Sequence, residues 1–366
     1  MKKTKIGMLI VGLLVVIGML AACVPAPKME KVTWSVGTSK EGSAGYVVNL
    51  ALARVVNKYV LGLNYVSMPT AGSTASVQFF GKGTGEIDGC YPATPDLHPM
   101  YTKTNPYEEM KWLPYQAFWV GSAEEMLFTK ADRDDITCYS DLAGKKAYFM
   151  GAGTSVHALW KRALTEVGVW DDIETRDMGT MDAADALEMG TIDATCIYVL
   201  SKRALCDWGM NIDARIDIKV VNPTPEEAEA ISVLPFVIGY DETGSLASCF
   251  SQPLEVDKIW SFSSMWGFMM SPDTDVELMY QVLKAWDEHT DELVEMAPTL
   301  IKLKDVGLGP CTAMGIECNP DVPVHGGTAK FLKEKGLWQD EWIIGEYIER
   351  SPAGLNKIWQ LYGLAE

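Results

Sequence analysis

Short β-rich segments alternate with helical stretches along nearly the whole chain, and polar, glycine-bearing loops between them feed directly into helices. Parallel strands with helices packed on the sheet faces produce this alternation, so it narrows the fold to the α/β class. Val32 to Val36 reads as a strand, Gly37 to Gly45 as a Gly/Ser/Thr loop, and Tyr46 to Tyr59 as an apolar helix. Leu63 to Met68 is the next strand, and Thr70, Ala71, Gly72 and Ser73 lead from it to a helix at Thr74 to Phe80. A third unit has a strand at Lys145 to Met150, a loop at Gly151 to Ser155 and a helix at Val156 to Val167, which Gly168 stops as a C-cap glycine. A strand near Ile173 to Asp177, a helix at Met181 to Met189 and a strand at Ile192 to Val199 follow.

Two apolar, aromatic segments do not fit that repeat. Trp119 to Lys130 runs out of the first unit toward the third, and Trp260 to Ser271 would run back. A pair of crossing strands makes a hinge between two halves. Helices are expected at Asp275 to Met296 and at Ala329 to Lys335, with a further helical tail beyond Gln339.

The N-terminus carries an export signal. Lys2, Lys3 and Lys5 precede an apolar run from Ile6 to Leu20, and Ala21, Ala22 and Cys23 follow. Cys23 after Leu-Ala-Ala resembles a bacterial lipobox, in which residues 1–22 are removed and Cys23 is lipidated; residues 23–30, with two prolines, then form a tether. The other reading is an uncleaved membrane helix. Both put the body outside the cytoplasmic membrane. Without residues 1–22 the chain keeps 28 of its 31 basic residues and all 49 acidic ones, a net charge near −21. Such a surface repels nucleic acid. Seven cysteines remain after Cys23, and they are read as small core residues with one or two disulfides among them. No CxxC pair or His/Cys cluster points to a metal, and no cofactor signature occurs.

The order of several pieces resembles the TAXI family, the solute receptors of tripartite ATP-independent periplasmic (TRAP) transporters. Ser35-Val-Gly-Thr38 with Gly42 and Tyr46 is similar to that family's first glycine-rich loop, and Thr70-Ala-Gly-Ser73 followed by Gly85-Glu-Ile-Asp88 to its second. Leu142-Ala-Gly-Lys145, Gly151 to Ser155 and Gly190-Thr-Ile-Asp-Ala194 resemble its second lobe, and Pro323-Val-His325-Gly-Gly327 its C-terminal signature. The sequence departs from the pattern at Glu41, at Ser43 to Gly45, at Val47 where a proline is usual, and in a shorter third loop close to His157. The resemblance implies a type II periplasmic-binding-protein-like fold of two lobes, each a mainly parallel sheet flanked by helices, joined by a two-strand hinge. The lobes would be residues 31–125 with 256–366, and 126–255. It implies capture of a small polar solute, a carboxylate such as an amino acid or dicarboxylate, and delivery to a TRAP permease. A solute-binding lipoprotein of an ABC importer and an exported hydrolase are the alternatives, and the sequence lacks HExxH, GxSxG and a phosphate-loop lysine.

Loop position and chemistry select the residues expected to touch solute. Thr38, Ser39, Ser73, Thr74, Thr154 and Ser155 place hydroxyls beside helix N-termini, where unpaired N–H groups and the helix dipole favour an anion. Plain N-capping is the other role open to each. Tyr46 and Tyr198 offer a ring face with a polar tip, and His157 a donor for a carboxylate. Lys202 and Arg203 are candidates for added positive charge. Trp260 and Trp266 are read as core residues of the crossing strand, and His325 as structural, bonding a loop carbonyl.

Overall fold

The computed structural model describes residues 31–361 other than 235, 236, 243 and 255. The expected signal peptide, the Cys23 lipidation site and residues 23–30 lie outside the described residues, which contain no helix long and apolar enough to cross a membrane.

The strands are β1 (Val32–Gly37), β2 (Leu63–Met68), β3 (Gly89–Cys90), β4 (Tyr115–Lys130), β5 (Lys146–Tyr148), β6 (Glu174–Thr175), β7 (Ala194–Leu200), β8 (Ala204–Leu205), β9 (Ile218–Val221), β10 (Val237–Tyr240) and β11 (Trp260–Met270). They follow the order β2-β1-β3-β11-β4-β7-β5-β6, with β9 also on β4, β8 on β7 and β10 on β11. The first half runs β2-β1-β3-β11-β4 and the second β6-β5-β7-β4-β9, so each has its second strand, first, third, a long strand arriving from the other half, then a later strand of its own. That repeated order is the type II periplasmic-binding-protein topology. β1 runs parallel to β3, and β5 to β6 and β7, while the two-residue β8 is antiparallel to β7. The long strands run antiparallel to their neighbours.

The sixteen residues of β4 span about 50 Å at 3.4 Å per residue. They pair with β11 from Tyr115↔Met270 to Phe262↔Glu125, so the two halves share one continuous sheet. Residues from Thr33 onward accordingly form one compact unit. The ladder shifts register at Trp266/Gly267 and at Phe268/Met269. A β-carbon on Gly267 would lie 2.2 Å from the Phe118 carbonyl oxygen, so the first irregularity needs glycine.

The helices are α1 (Ala44–Tyr59), α2 (Ser73–Gly81), α3 (Thr94–Tyr101), α4 (Ser155–Val167), α5 (Ala183–Glu188), α6 (Asp207–Asp213), α7 (Pro225–Ile231), α8 (Val276–Glu288), α9 (Thr290–Met296), α10 (Ile301–Val306), α11 (Leu308–Glu317), α12 (Gly326–Glu334) and α13 (Pro352–Leu361). Gly168 ends α4 in the left-handed region, φ 83°. One apolar cluster draws on residues before Ala123 and after Met265, including Trp112, Phe118, Trp119 and Trp286. Two others, around Phe128 with Trp208 and around Phe149 with Trp160, use residues between Met126 and Phe262.

Four expectations change. The helix expected over Asp275 to Met296 breaks at His289 into α8 and α9. The strand expected to Met150 ends at Tyr148, because Met150 turns to φ 65°. The tail beyond Gln339 is helical only in α13; before it the chain lies extended, with Ile344 bridging Val324 and Arg350 donating to Ser271 Oγ at 2.8 Å. All seven described cysteines are free thiols, so the expected disulfides do not form; the core reading holds for the buried Cys90, Cys196, Cys206 and Cys311 but not for the half-buried Cys138 and Cys249 or the exposed Cys318.

His325 is the buried N-cap of α12. Its Nδ1 accepts from Gly327 N at 3.1 Å, and Nε2 lies 3.1 Å from the Thr274 carbonyl, so the neutral ring is fully used. Burial pushes its pKa down to about 4, with the carbonyl of Thr274 opposing. A depressed folded pKa means stability is complete above the unfolded value near 6.5 and is lost as pH falls toward 4. Thermal melts should show that loss, on the order of 2–3 kcal/mol, and His325→Ala should melt lower at neutral pH but without that slope.

Candidate functional site

A cavity of about 110 Å³ opens where α1, α2 and α4 begin, against β4, β7 and β11. Roughly 10–15 Å³ of such volume holds one water, so the space takes a small solute. Three helix N-termini reach it. Ser43 caps α1, its Oγ accepting from Tyr46 N at 3.3 Å. Thr154 caps α4 by accepting from His157 N at 3.2 Å. Gly72 precedes α2 with no side-chain cap. A β-carbon there would come within 2.2 Å of the Gly153 carbonyl oxygen, so glycine permits the loops before α2 and α4 to touch.

Buried hydrogen bonds tie those loops together. Ser155 donates to Ser73 Oγ from its backbone N at 2.8 Å, and the two side-chain oxygens also lie 2.8 Å apart. The Ser155 hydroxyl also meets Oδ2 of Asp96, a fully buried carboxylate in α3 that accepts from Ala93 N at 2.9 Å. From α4, Arg162 donates to the Pro95 carbonyl at 3.0 Å and stands 4.0 Å from Asp96 Oδ1.

The expected contact residues divide. Ser39, Ser73, Thr154, Ser155 and Tyr198 line the cavity. Thr38 and Thr74 are buried behind it: the Thr38 hydroxyl faces the Ser39 carbonyl, and Thr74 Oγ1 has no hydrogen-bond partner. Tyr46 stands outside the lining, and Tyr91 fills the place beside α1, its ring atoms within 2.9 Å of a β-carbon built on Gly45. His157 faces a separate surface depression with Asn105, Pro106 and Lys161; its ring bonds the Met150 carbonyl at 3.2 Å and meets Trp170 edge-on. Burial lowers its pKa, the Met150 carbonyl opposing. Lys202 and Arg203 point elsewhere, toward Asp241 at 3.8 Å and Asp305 at 2.6 Å. Trp260 and Trp266 are both core as expected, and Trp266 also lines the cavity, its Nε1 unpartnered.

Glu125, on β4, is the residue that sequence reasoning missed. It is 2% exposed, lines the cavity, and its Oε2 has no hydrogen-bond partner. Burial pushes its pKa up to about 8; the Asp96 and Glu124 carboxylates add to the rise, while Ser264 and the Trp160 indole oppose it without reaching hydrogen-bond geometry at Oε2. The available signal was the acidic pair Glu124 and Glu125 inside an otherwise apolar crossing strand. No Lys, Arg or His lines the cavity, and no group of His, Cys, Asp and Glu that could hold a metal occurs among the described residues.

Strand order and an inter-helix cavity define a protein of the solute-binding class. Residues 36–336 match the NMT1-like family, and the chain belongs to that family of periplasmic solute-binding proteins. None of the curated proteins matches. Among solved structures, a putative L-cystine ABC transporter from Listeria monocytogenes is 18% identical over 76% of this chain and 96% of its own, TM-score 0.41. The periplasmic aliphatic sulphonate binding protein SsuA from Escherichia coli is 15% identical over 83% and 90%, TM-score 0.41. The alkanesulfonate-binding protein SsuA from Xanthomonas axonopodis pv. citri, bound to MOPS, is 12% identical over 92% and 95%, TM-score 0.39. The ligands and transporters named for these belong to those proteins.

A raised carboxylate pKa stabilises least where the unfolded chain is already ionised: stability falls as pH rises from about 4.5 to about 8. Glu125→Gln removes that cost. It should melt above the wild type at pH 8, by on the order of 4 kcal/mol, with the gap closing near pH 4.5 in paired melts.

Proposed function

We propose that this protein is an extracytoplasmic receptor that holds a small carboxylate-bearing solute in this cavity and passes it, chemically unchanged, to a membrane importer. The convergence of three helix N-termini on one space lined by serine and threonine hydroxyls carries the reading, because unpaired N–H groups and aligned dipoles favour an anion there. The lobes would be residues 31–125 with 256–366, and 126–255; separate apolar clusters support two halves, with Ile259, Trp260 and Phe262 packing into the second. The solute would touch both lobes, so its binding energy favours the closed arrangement. Ser39, Ser73, Thr154, Ser155 and Tyr198 are the proposed contacts. Catalysis is disfavoured by the lining, which offers one carboxyl group but no histidine, cysteine or lysine to pair with it. Cys23 would anchor the body by a lipid.

The cavity itself favours neither importer class. An ATP-binding-cassette importer is the class named for the Listeria structure, and a TRAP transporter is the class whose TAXI receptors the motif order resembles. Family membership extends to solute binding and is coarser than either. Uptake into vesicles carrying the permease separates them: import driven by ATP alone identifies the first, and import driven by an ion gradient alone the second.

A thermal-shift panel of amino acids, dicarboxylates and keto acids tests the receptor reading. A solute at a hundred times its dissociation constant should stabilise the protein by about 2.7 kcal/mol and be recovered intact. A compound consumed during the assay would make the protein an enzyme instead. In Ser73→Ala/Thr154→Ala, affinity for the hit should fall about a hundredfold or more, while the melt drops by about 2–4 kcal/mol for the lost α4 cap and the Ser155 N–H left buried without its Ser73 partner.

A further inference from the structure

Three carboxyl groups are buried near one another, and one of them lines the cavity. Asp96 accepts from Ala93 N at 2.9 Å and from the Ser155 hydroxyl, with Arg162 beside it. Glu124 faces the other side of β4, where Oε2 accepts from Lys202 N at 3.0 Å and Oε1 from Ser263 Oγ at 3.3 Å. Asp96 Oδ1 and Glu125 Oε2 are both buried without a hydrogen-bond partner, but Asp96 stands outside the lining with the Arg162 guanidinium 4.0 Å away, whereas Glu125 lines the cavity. A buried polar atom left unpaired costs as much as a lost hydrogen bond, so such an atom facing a ligand space marks a place where the ligand supplies the partner.

The surroundings decide the sign of that partner. Asp96 and Glu124 both raise the negative potential at Glu125, and the titratable groups that otherwise face it are Tyr198 and Cys196, neutral at pH 7 because burial raises both. Among the described residues no basic side chain lines the cavity to offset that potential. A second carboxylate on the solute would therefore meet like charge, whereas a protonated nitrogen would meet the unpaired oxygen. The aromatic rings of Tyr91 and Trp266, 6.1 Å apart, line the same space and suit a cation. We propose that Glu125 is the counter-charge for a protonated nitrogen on the solute, so that the cavity accepts zwitterions and refuses acids of the same shape that lack the nitrogen. This rests on the receptor reading above and narrows it: the helix N-termini hold the carboxylate, and β4 holds the ammonium. Because the empty site keeps its proton to about pH 8, taking up an ammonium at lower pH releases that proton to solvent.

The test uses matched pairs of amino acid and keto acid: L-alanine with pyruvate, L-leucine with 4-methyl-2-oxopentanoate, and L-glutamate with 2-oxoglutarate. Titration calorimetry at pH 6, 7 and 8, in two buffers of different ionisation enthalpy, is run on the wild type and on Glu125→Gln. Expected is at least one pair in which the amino acid binds about thirtyfold or more tighter than its keto acid. Its affinity should rise about tenfold from pH 6 to pH 7, with close to one proton released per solute. Both the preference and the proton release should vanish in Glu125→Gln, whose folding is checked by its melt. A keto acid that binds as tightly as its amino acid, or a variant that keeps the preference and the proton release, overturns the role of Glu125 and leaves the receptor reading standing. Failure of all six compounds to bind overturns both.

Discussion

The antiparallel pairing of β4 with β11 is the constraint on which the rest depends. Each strand belongs to one half by sequence and finishes the sheet of the other, so neither half completes its sheet without the chain crossing twice. The long strands are buried almost throughout, which makes their ladder both the spine of the core and the floor of the cavity. Ala123 and Glu125 from β4, and Ser264 and Trp266 from β11, face the same space because side chains alternate along a strand. The break in register at Trp266/Gly267 falls beside that space, and it depends on the missing β-carbon of Gly267.

On that floor, the helix starts set the chemistry of the walls. Each begins where a short strand ends, so the strands' carboxyl ends bring three N-termini toward one place. Ser73 and Ser155 also bond one another, which fixes how closely α2 and α4 approach and makes the same hydroxyls both structural and available. Opposing them is a carboxylate buried without a partner, a costly feature for a fold to retain unless something binds there. Positive helix ends at one side and an acidic side chain at the other give the cavity a polarity that no single motif carries.

The resemblance to a family of solute receptors and the membership of the NMT1-like family agree at the level of solute binding. Much of the fold was legible because its signals are local. β2 falls on the expected Leu63 to Met68, and α4 starts one residue before expectation with Thr154 as its cap and Gly168 as its stop. Where tertiary contacts decide, the reading changes. His289 divides a helix that hydropathy alone would run through, and free cysteines take the core positions that an exported chain could have bridged. Tyr46 and His157 carry suitable chemistry at suitable places in the sequence, yet the turn of each helix directs them away from the cavity and lets Tyr91 and Glu125 in.

By itself the sequence determined the order of strands and helices, the loops that begin each helix and the hydroxyls stationed there. Caps, glycines and hydrophobic periodicity act within a turn or two of chain, so they can be read without knowing what packs on them. Only the tertiary structure decided which loops meet and which acid faces the solute space. Ser73 finds Ser155 across 82 residues, and Asp96 finds it across 59. The choice of Glu125 over Glu124 is a matter of register: a slip of one residue along β4 would turn the other carboxylate inward. That parity is fixed by the ladders β4 makes with β7 and β11, strands that begin about 70 and 130 positions farther along the chain.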